Sequence, residues 1–196
     1  MDTKPDSAEK FVRKIIKNGY HAVLEHASAS YRIICDRGVT HEIVRHRLAS
    51  YSQESTRYCN YSGGVTYILP PWIIIPRKML GAEVDMFDDR LCFADKGHAT
   101  GIAFSDQVTE WFISLQVAEA TYKKLLHYEW TPQQARSVLP NALKTKIVMT
   151  CNFREWRHFL KLRTAANAHP QMQEIANMIK KDLQERIPVV FDDDML

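Results

Sequence analysis

The residues best equipped for chemistry lie between Arg45 and Tyr58, in the run RHRLASYSQESTRY. Arg45 and Arg47 flank His46, small polar residues follow, and Ser55, Thr56 and Arg57 close the stretch. Three guanidinium groups and an imidazole within thirteen positions make a poor core segment and a good holder for a charged, planar ligand. A guanidinium offers a rigid fork of donors matched to phosphate or to a carbonyl edge. The Ser55 and Thr56 hydroxyls, with successive backbone N–H groups, can complete a phosphate cradle. A bare Arg-His-Arg triplet, by contrast, is more often a solvated helix end favoured by the dipole.

Two later stretches carry similar chemistry. ARSVLP, from Ala135 to Pro140, contains Arg136, which taken alone reads as a surface charge. NFREWRHFLKLR runs from Asn152 to Arg163, with Asn152 a good N-cap. On a helix Phe153, Trp156 and Leu160 share an apolar face that Arg163 extends, while Arg154, His158 and Lys161 lie opposite and Arg157 sits near the boundary. An arginine closing an apolar stripe either reaches an anion or polarised carbonyl, because an unpaired desolvated charge is costly, or snorkels to water. Spacing alone leaves both open.

Arg45-His46-Arg47, seven intervening residues and then Ser55 match the signature of flavin-dependent thymidylate synthases, and Arg57 and Tyr58 continue the match. Tyr20 to His26 (YHAVLEH), ARSVLP and NFREWRHFLKLR resemble further motifs of that family, and the resemblance covers about Lys10 to Arg186. It implies reductive methylation of deoxyuridylate (dUMP) to thymidylate (dTMP). Methylenetetrahydrofolate would supply the carbon and FAD would carry electrons from NADPH. By the same resemblance Glu25, Arg45, His46, Arg47, Asn152, Arg154, His158 and His169 face the flavin. Gln53, Ser55, Thr56, Arg57 and Arg136 hold the nucleotide, and Arg163 contacts the pyrimidine and stabilises charge developing on it. The partners implied are dUMP and folate within a cytoplasmic homotetramer whose flavin sites lie between subunits, with no membrane and no nucleic acid. The chain departs from the pattern in places. Tyr20 stands where relatives often carry a histidine, which leaves the part of His21 open, and Gln53 stands where many carry a glutamate. A strand and helix that usually precede the Lys10 region are expected to be short or absent.

These residues need elements to position them. Ser7 caps a first helix with Phe11, Ile15 and Ile16 on one face, stopped by Asn18-Gly19. Ala27 to Cys35 reads as a strand with Tyr31, Ile33 and Cys35 on one side, after which Asp36-Arg37-Gly38 turns the chain. Thr40 is expected to cap a helix that runs into the Arg-His-Arg triplet. Successive helical residues fan out by about 100°, so the triplet would serve two ligands or two subunits rather than one small ligand. Val65 to Leu69 reads as a strand, Ile73 to Ile75 as buried, and the acids from Glu83 to Asp95 as a surface excursion. Thr100 or Ser105 starts a long helix with Val108, Trp111, Phe112, Leu115, Ala118 and Tyr122 on its apolar face. Thr131-Pro132 opens the next helix, Lys144 to Thr150 alternates as a strand, and His169-Pro170 begins a last helix ended by Pro188. Its buried face would be Ile175, Met178, Ile179 and Leu183. The class expected is α+β: one oligomeric domain over residues 1–196, a mixed sheet packed with helices.

Composition narrows the function classes. A net charge of +3 is too small for a general nucleic-acid binder, but seven Lys/Arg face one acid between Arg136 and Arg163. That imbalance supports one competing reading, a non-catalytic RNA- or nucleotide-binding module using the 136–163 surface with its aromatic residues stacking on bases. No run approaches the roughly 18 apolar residues of a membrane span. The four cysteines lack CxxC spacing, which reads as reduced thiols rather than a disulfide framework or a metal site. None falls among the residues given a role. Changing Cys35, Cys59, Cys92 and Cys151 together to serine is therefore expected to leave thymidylate formation in place, with some loss of stability. Complete loss of turnover in a folded, flavin-loaded variant would show that a thiol takes part.

Overall fold

The computed structural model describes residues 7–73, 92–94 and 105–194, with backbone alone for the short middle segment. Expectations for residues 74–91 and 95–104, among them buried Ile74 and Ile75, the acidic excursion and a helix start at Thr100, lie outside the described residues. The class is α+β. The described strands form two small sheets rather than one: β1 (Ser28–Asp36), β5 (Lys144–Asn152) and β2 (Ala49–Gln53) in the order β1-β5-β2, and β3 (Thr66–Ile68) with β4 (Cys92–Ala94). β3 and β4 run antiparallel with Thr66 opposite Ala94 and Ile68 opposite Cys92.

The chain divides into two compact units. The first comprises Met1–Ile33, Glu42–Ser52 and Val148–Leu196. Its centre is α5 (Phe153–Arg163), which packs on α6 (Pro170–Arg186) and on a 3-10 turn over His21–His26. Trp156, Phe159 and Leu160 are fully buried on α5, facing a core that includes Met172, Ile175, Ala176, Ile179 and Leu183 of α6. The Asn152 side chain accepts from the Glu155 N–H at 2.9 Å, so the helix starts where its cap was expected. Phe153 is only half-buried, with its ring 5.5 Å from that of Phe191. α1 (Ser7–Lys17) packs on α7 (Pro188–Phe191), and Arg13 holds Asp192 at 2.9 Å, which fixes part of the acidic tail.

The second unit comprises Ile34–His41 and Gln53–Ile147. Val65, Tyr67, Leu115 and Leu143 form one buried cluster, and Val108, Trp111 and Phe112 pack against Leu69 and Ile73. The stripe expected on α3 (Asp106–His127) is thus core. α4 (Pro132–Ala135) opens with Gln134 Oε1 accepting from the Thr131 N–H at 2.9 Å, then tightens into a 3-10 turn at Arg136–Val138.

Several local expectations are corrected. α2 (Arg37–Ile43) follows β1 without an intervening turn, and its cap is Asp36, whose Oδ1 accepts from the Val39 N–H at 2.7 Å. Thr40 lies inside the helix and donates to the Arg37 carbonyl at 2.8 Å. α2 stops at Ile43, so Arg45, His46 and Arg47 are not helical and the 100° fan does not apply to them. The reason is non-local: the Tyr51 hydroxyl faces the carbonyls of Ile43 and His46 at 2.9 and 2.6 Å, occupying oxygens a longer helix would have used. Met178 is exposed, and Pro188 begins α7 rather than merely ending α6. Phe11, placed on the buried face of α1, is 63% exposed.

α1 ends through Gly19, which adopts φ +79° while its N–H reaches the Ile16 carbonyl at 2.9 Å. A Cβ there meets no neighbour, so the cost of substitution is purely conformational. Gly19→Ala should lose about 1–2 kcal/mol, the left-handed penalty, and lower the melting temperature by several degrees. Gly63→Ala, equally open and without positive φ, should change it little. Equal effects from the two would refute the conformational account.

Candidate functional site

The first unit contains a cleft of about 920 Å³. Arg45, His46, Arg47 and Leu48 enter it from the turn after α2, His21 and Glu25 from the 3-10 turn, and Asn152, Arg154, Glu155, Arg157, His158, Lys161, Leu162 and Arg163 from α5 and its cap. The triplet therefore lines one cleft on one chain, which corrects the expectation that its three residues must face apart. Six cations line it (Arg45, Arg47, Arg154, Arg157, Lys161 and Arg163) against two acids, Glu25 and Glu155. That excess in a concave site favours an anionic ligand. Glu25 and Arg154 pair at 2.5 Å, both substantially exposed, so the contact adds little stability. The Arg157 guanidinium donates to the Val190 carbonyl, and burial holds its pKa below the ordinary value.

The centre of the cleft is a chain of contacts. Arg163 Nε donates to His46 Nε2 at 2.9 Å, Nη1 donates to Glu42 Oε2 at 3.0 Å, and Nη2 donates to the Glu42 carbonyl at 3.4 Å. The arginine at the end of the apolar stripe has found an anion, and its side chain is 19% exposed. Guanidinium carries no acceptor, so His46 Nε2 presents its lone pair and a neutral ring carries its proton on Nδ1. Nδ1 lies 3.4 Å from Glu155 Oε1, and both side chains are buried. Burial, followed by the charges of Arg163 and His158, pushes the His46 pKa down to about 4. Burial raises that of Glu155.

His46, Glu155 and His158 each bring a potential metal-ligating atom within 4.8 Å of the others. With Nδ1 protonated, however, His46 has no lone pair to give on that side. The observed arrangement is a close His46–Glu155 pair, with the His158 ring 6.2 Å from that of His46.

The expected nucleotide group lies in the second unit. Arg136 Nη1 donates to the buried Thr56 hydroxyl at 2.9 Å, and Arg57 Nε donates to Gln133 Oε1 at 2.9 Å. The Arg57 N–H reaches Ser55 Oγ at 3.3 Å, and Gln53 Nε2 donates to Thr40 Oγ1 at 3.1 Å. His169 is exposed at the head of α6 and is not among the residues lining the cleft. Sequence reasoning gave no role to Glu42 and Glu155. The available signal was the line Glu155, Phe159, Arg163 at four-residue spacing, which puts an acid on the same helix face as the arginine.

An α+β chain with a cationic cleft in one unit and a hydroxyl–arginine cluster in the other is equipped to bind phosphorylated ligands. The model of the thymidylate synthase complementing protein family matches residues 1–189. The chain is 36% identical over 184 residues to a flavin-dependent thymidylate synthase of Mycolicibacterium vanbaalenii, covering 93% of this chain and 68% of the relative. Identity to the same-named proteins of Mycobacterium marinum and Mycobacterium tuberculosis is 35% over 185 and 34% over 184 residues, with the same coverage. The chain belongs to the thymidylate synthase complementing protein family.

The depressed His46 pKa has a definite pH signature. Between the ordinary value of 6.5 and about 4 the unfolded chain protonates this ring while the folded one does not. Its contribution to stability is thus whole above that window and lost as pH falls through it. Glu155, with its raised pKa, takes up its proton earlier in the folded state and offsets part of the loss. Melting temperatures recorded from neutral pH to pH 4 should fall less steeply for His46→Asn than for the wild type. Parallel curves would mean that His46 is not held neutral.

Proposed function

We propose that this protein is a flavin-dependent thymidylate synthase that methylates dUMP reductively to dTMP. The observation that carries the reading is the convergence of Arg45, His46, Arg47, Asn152, Arg154, His158 and Arg163 on one cationic cleft. The donor set fits a flavin dinucleotide: guanidinium forks suit a diphosphate, and Leu48 and Leu162 add apolar surface for a ring system. We read the flavin as FAD, which when bound supplies the redox chemistry with electrons from NADPH, and the carbon donor as methylenetetrahydrofolate.

The chain's own residues bind, orient and polarise. Arg45, Arg47 and Arg154 neutralise phosphate charge. Glu25 holds Arg154 at the rim until an anion competes for it. Thr56, Arg57 and Arg136, with Ser55 and Gln53, take the nucleotide. Arg57 and Arg136 are suited to this because their hydrogen-bond partners, Gln133 and Thr56, are neutral. Arg163 is preorganised by His46 and Glu42 to stabilise negative charge developing on the uracil ring. His169 is retained as a flavin-side residue on the family pattern alone. One domain, a homotetrameric assembly and a cytoplasmic location complete the proposal. Thiols at Cys59 and Cys151 that form no disulfide suit the last.

The test begins with an absorption spectrum with and without added FAD. It continues with two assays on one folded, flavin-loaded Arg163→Ala sample. NADPH-driven bleaching of the flavin should persist, while thymidylate formation should fall by about 10²–10³. Arg163→Lys should fail as well, because a point charge cannot reproduce the planar two-sided contact. Thymidylate formed at the wild-type rate would make Arg163 a structural residue.

A further inference from the structure

We propose that Glu155 is a positioning residue for Arg163: its carboxylate, 3.4 Å from His46 Nδ1, favours the ring proton on that nitrogen and so leaves Nε2 bare, and a bare Nε2 is what holds the Arg163 guanidinium in place. The inference deepens the reading of the chain as a thymidylate synthase and rests on it for its kinetic arm. Its geometry stands on the free protein.

A neutral imidazole carries one proton, which sits on one nitrogen or the other. Nothing about the ring itself forces it onto Nδ1. If it moved to Nε2, an N–H would point at the Nε–H of Arg163 across 2.9 Å, two donors with no acceptor between them. The guanidinium would then swing about its two remaining contacts, both on Glu42. Glu155 Oε1, 3.4 Å from Nδ1, is the group that selects the other tautomer.

The elements are built to keep it there. Glu155 belongs to the first turn of α5, where its N–H is tied to Asn152 Oδ1 at 2.9 Å. Phe159, one turn on, places its ring 4.8 Å from the His46 ring and closes that side. Arg163 follows one turn later, so a single rigid helix carries the residue that sets the imidazole and the residue that reads it. On the opposite side the His46 carbonyl is held by the Tyr51 hydroxyl at 2.6 Å. Burying a carboxylate here is costly. That cost is consistent with orientation rather than packing as its purpose.

The experiment uses the full chain labelled with 15N-histidine. Nitrogen shifts of His46 report which ring nitrogen is protonated, in the wild type and in the Glu155→Gln and Glu155→Met variants. The wild type should show Nδ1–H with Nε2 bare. Glu155→Gln keeps an acceptor and should keep that tautomer. Glu155→Met should populate Nε2–H, and its kcat for thymidylate formation should fall about 10–100-fold, the usual effect of losing an orienting partner. The loss should appear in kcat more than in KM for dUMP, and the glutamine variant should recover most of it. An Nε2–H tautomer in the wild type overturns the proposal even if the methionine variant does not fold. So does an unchanged tautomer in a folded Glu155→Met, or a glutamine variant as impaired as the methionine one. A wild type that makes no thymidylate would instead refute the enzymatic reading, and the tautomer comparison would still decide this one.

Discussion

The contact between Arg163 and the neutral face of His46 is the constraint on which the rest of the cleft depends. It requires an uncharged imidazole against a permanent cation, and burial together with the charges of Arg163 and His158 supplies that condition. A guanidinium held on one side by a lone pair and on the other by the Glu42 carboxylate is compensated and oriented. Such an arrangement is a poor investment for stability alone, since buried ionic groups are often replaced by apolar ones at no loss. Its value lies in direction: the guanidinium plane is set before any ligand arrives.

The contrast with Arg57 and Arg136 is informative. Each donates to a neutral group, the amide of Gln133 or the hydroxyl of Thr56, and neither contact neutralises the charge. A cation shaped by neutral acceptors retains its attraction for a phosphate, whereas one paired with a carboxylate has spent part of it. The two kinds of arginine divide accordingly. Arg57 and Arg136 are suited to holding charge already present on a ligand, and Arg163 to responding to charge that develops.

What was legible in the sequence follows the range of the interactions concerned. The Asn152 cap, the Thr131-Pro132 helix start, the α3 stripe and the alternation of Thr145, Ile147 and Met149 are local, and all are found. The helical reading of Arg45 to Arg47 failed because Tyr51 reaches back to carbonyls that the local pattern assigned to the helix. Those three residues do line one cleft, although the geometry offered for them was wrong. The partnership of Arg163 with Glu42 spans 121 positions, which no spacing rule reaches.

The same long-range packing weighs against the RNA-binding alternative. Base stacking needs exposed aromatic faces among the cations. Trp156 and Phe159 are fully buried, and the Trp156 indole N–H is engaged by the Ala29 carbonyl at 3.1 Å. Phe153 is half-covered against Phe191. The aromatic residues interleaved with arginine in NFREWRHFLKLR therefore form the inner face of α5, and the arginines its cleft-facing ends. Aromatic rings and cations alternate in the sequence because a helix turns, and they serve opposite sides: the rings fix the helix in the core and the cations face the cleft.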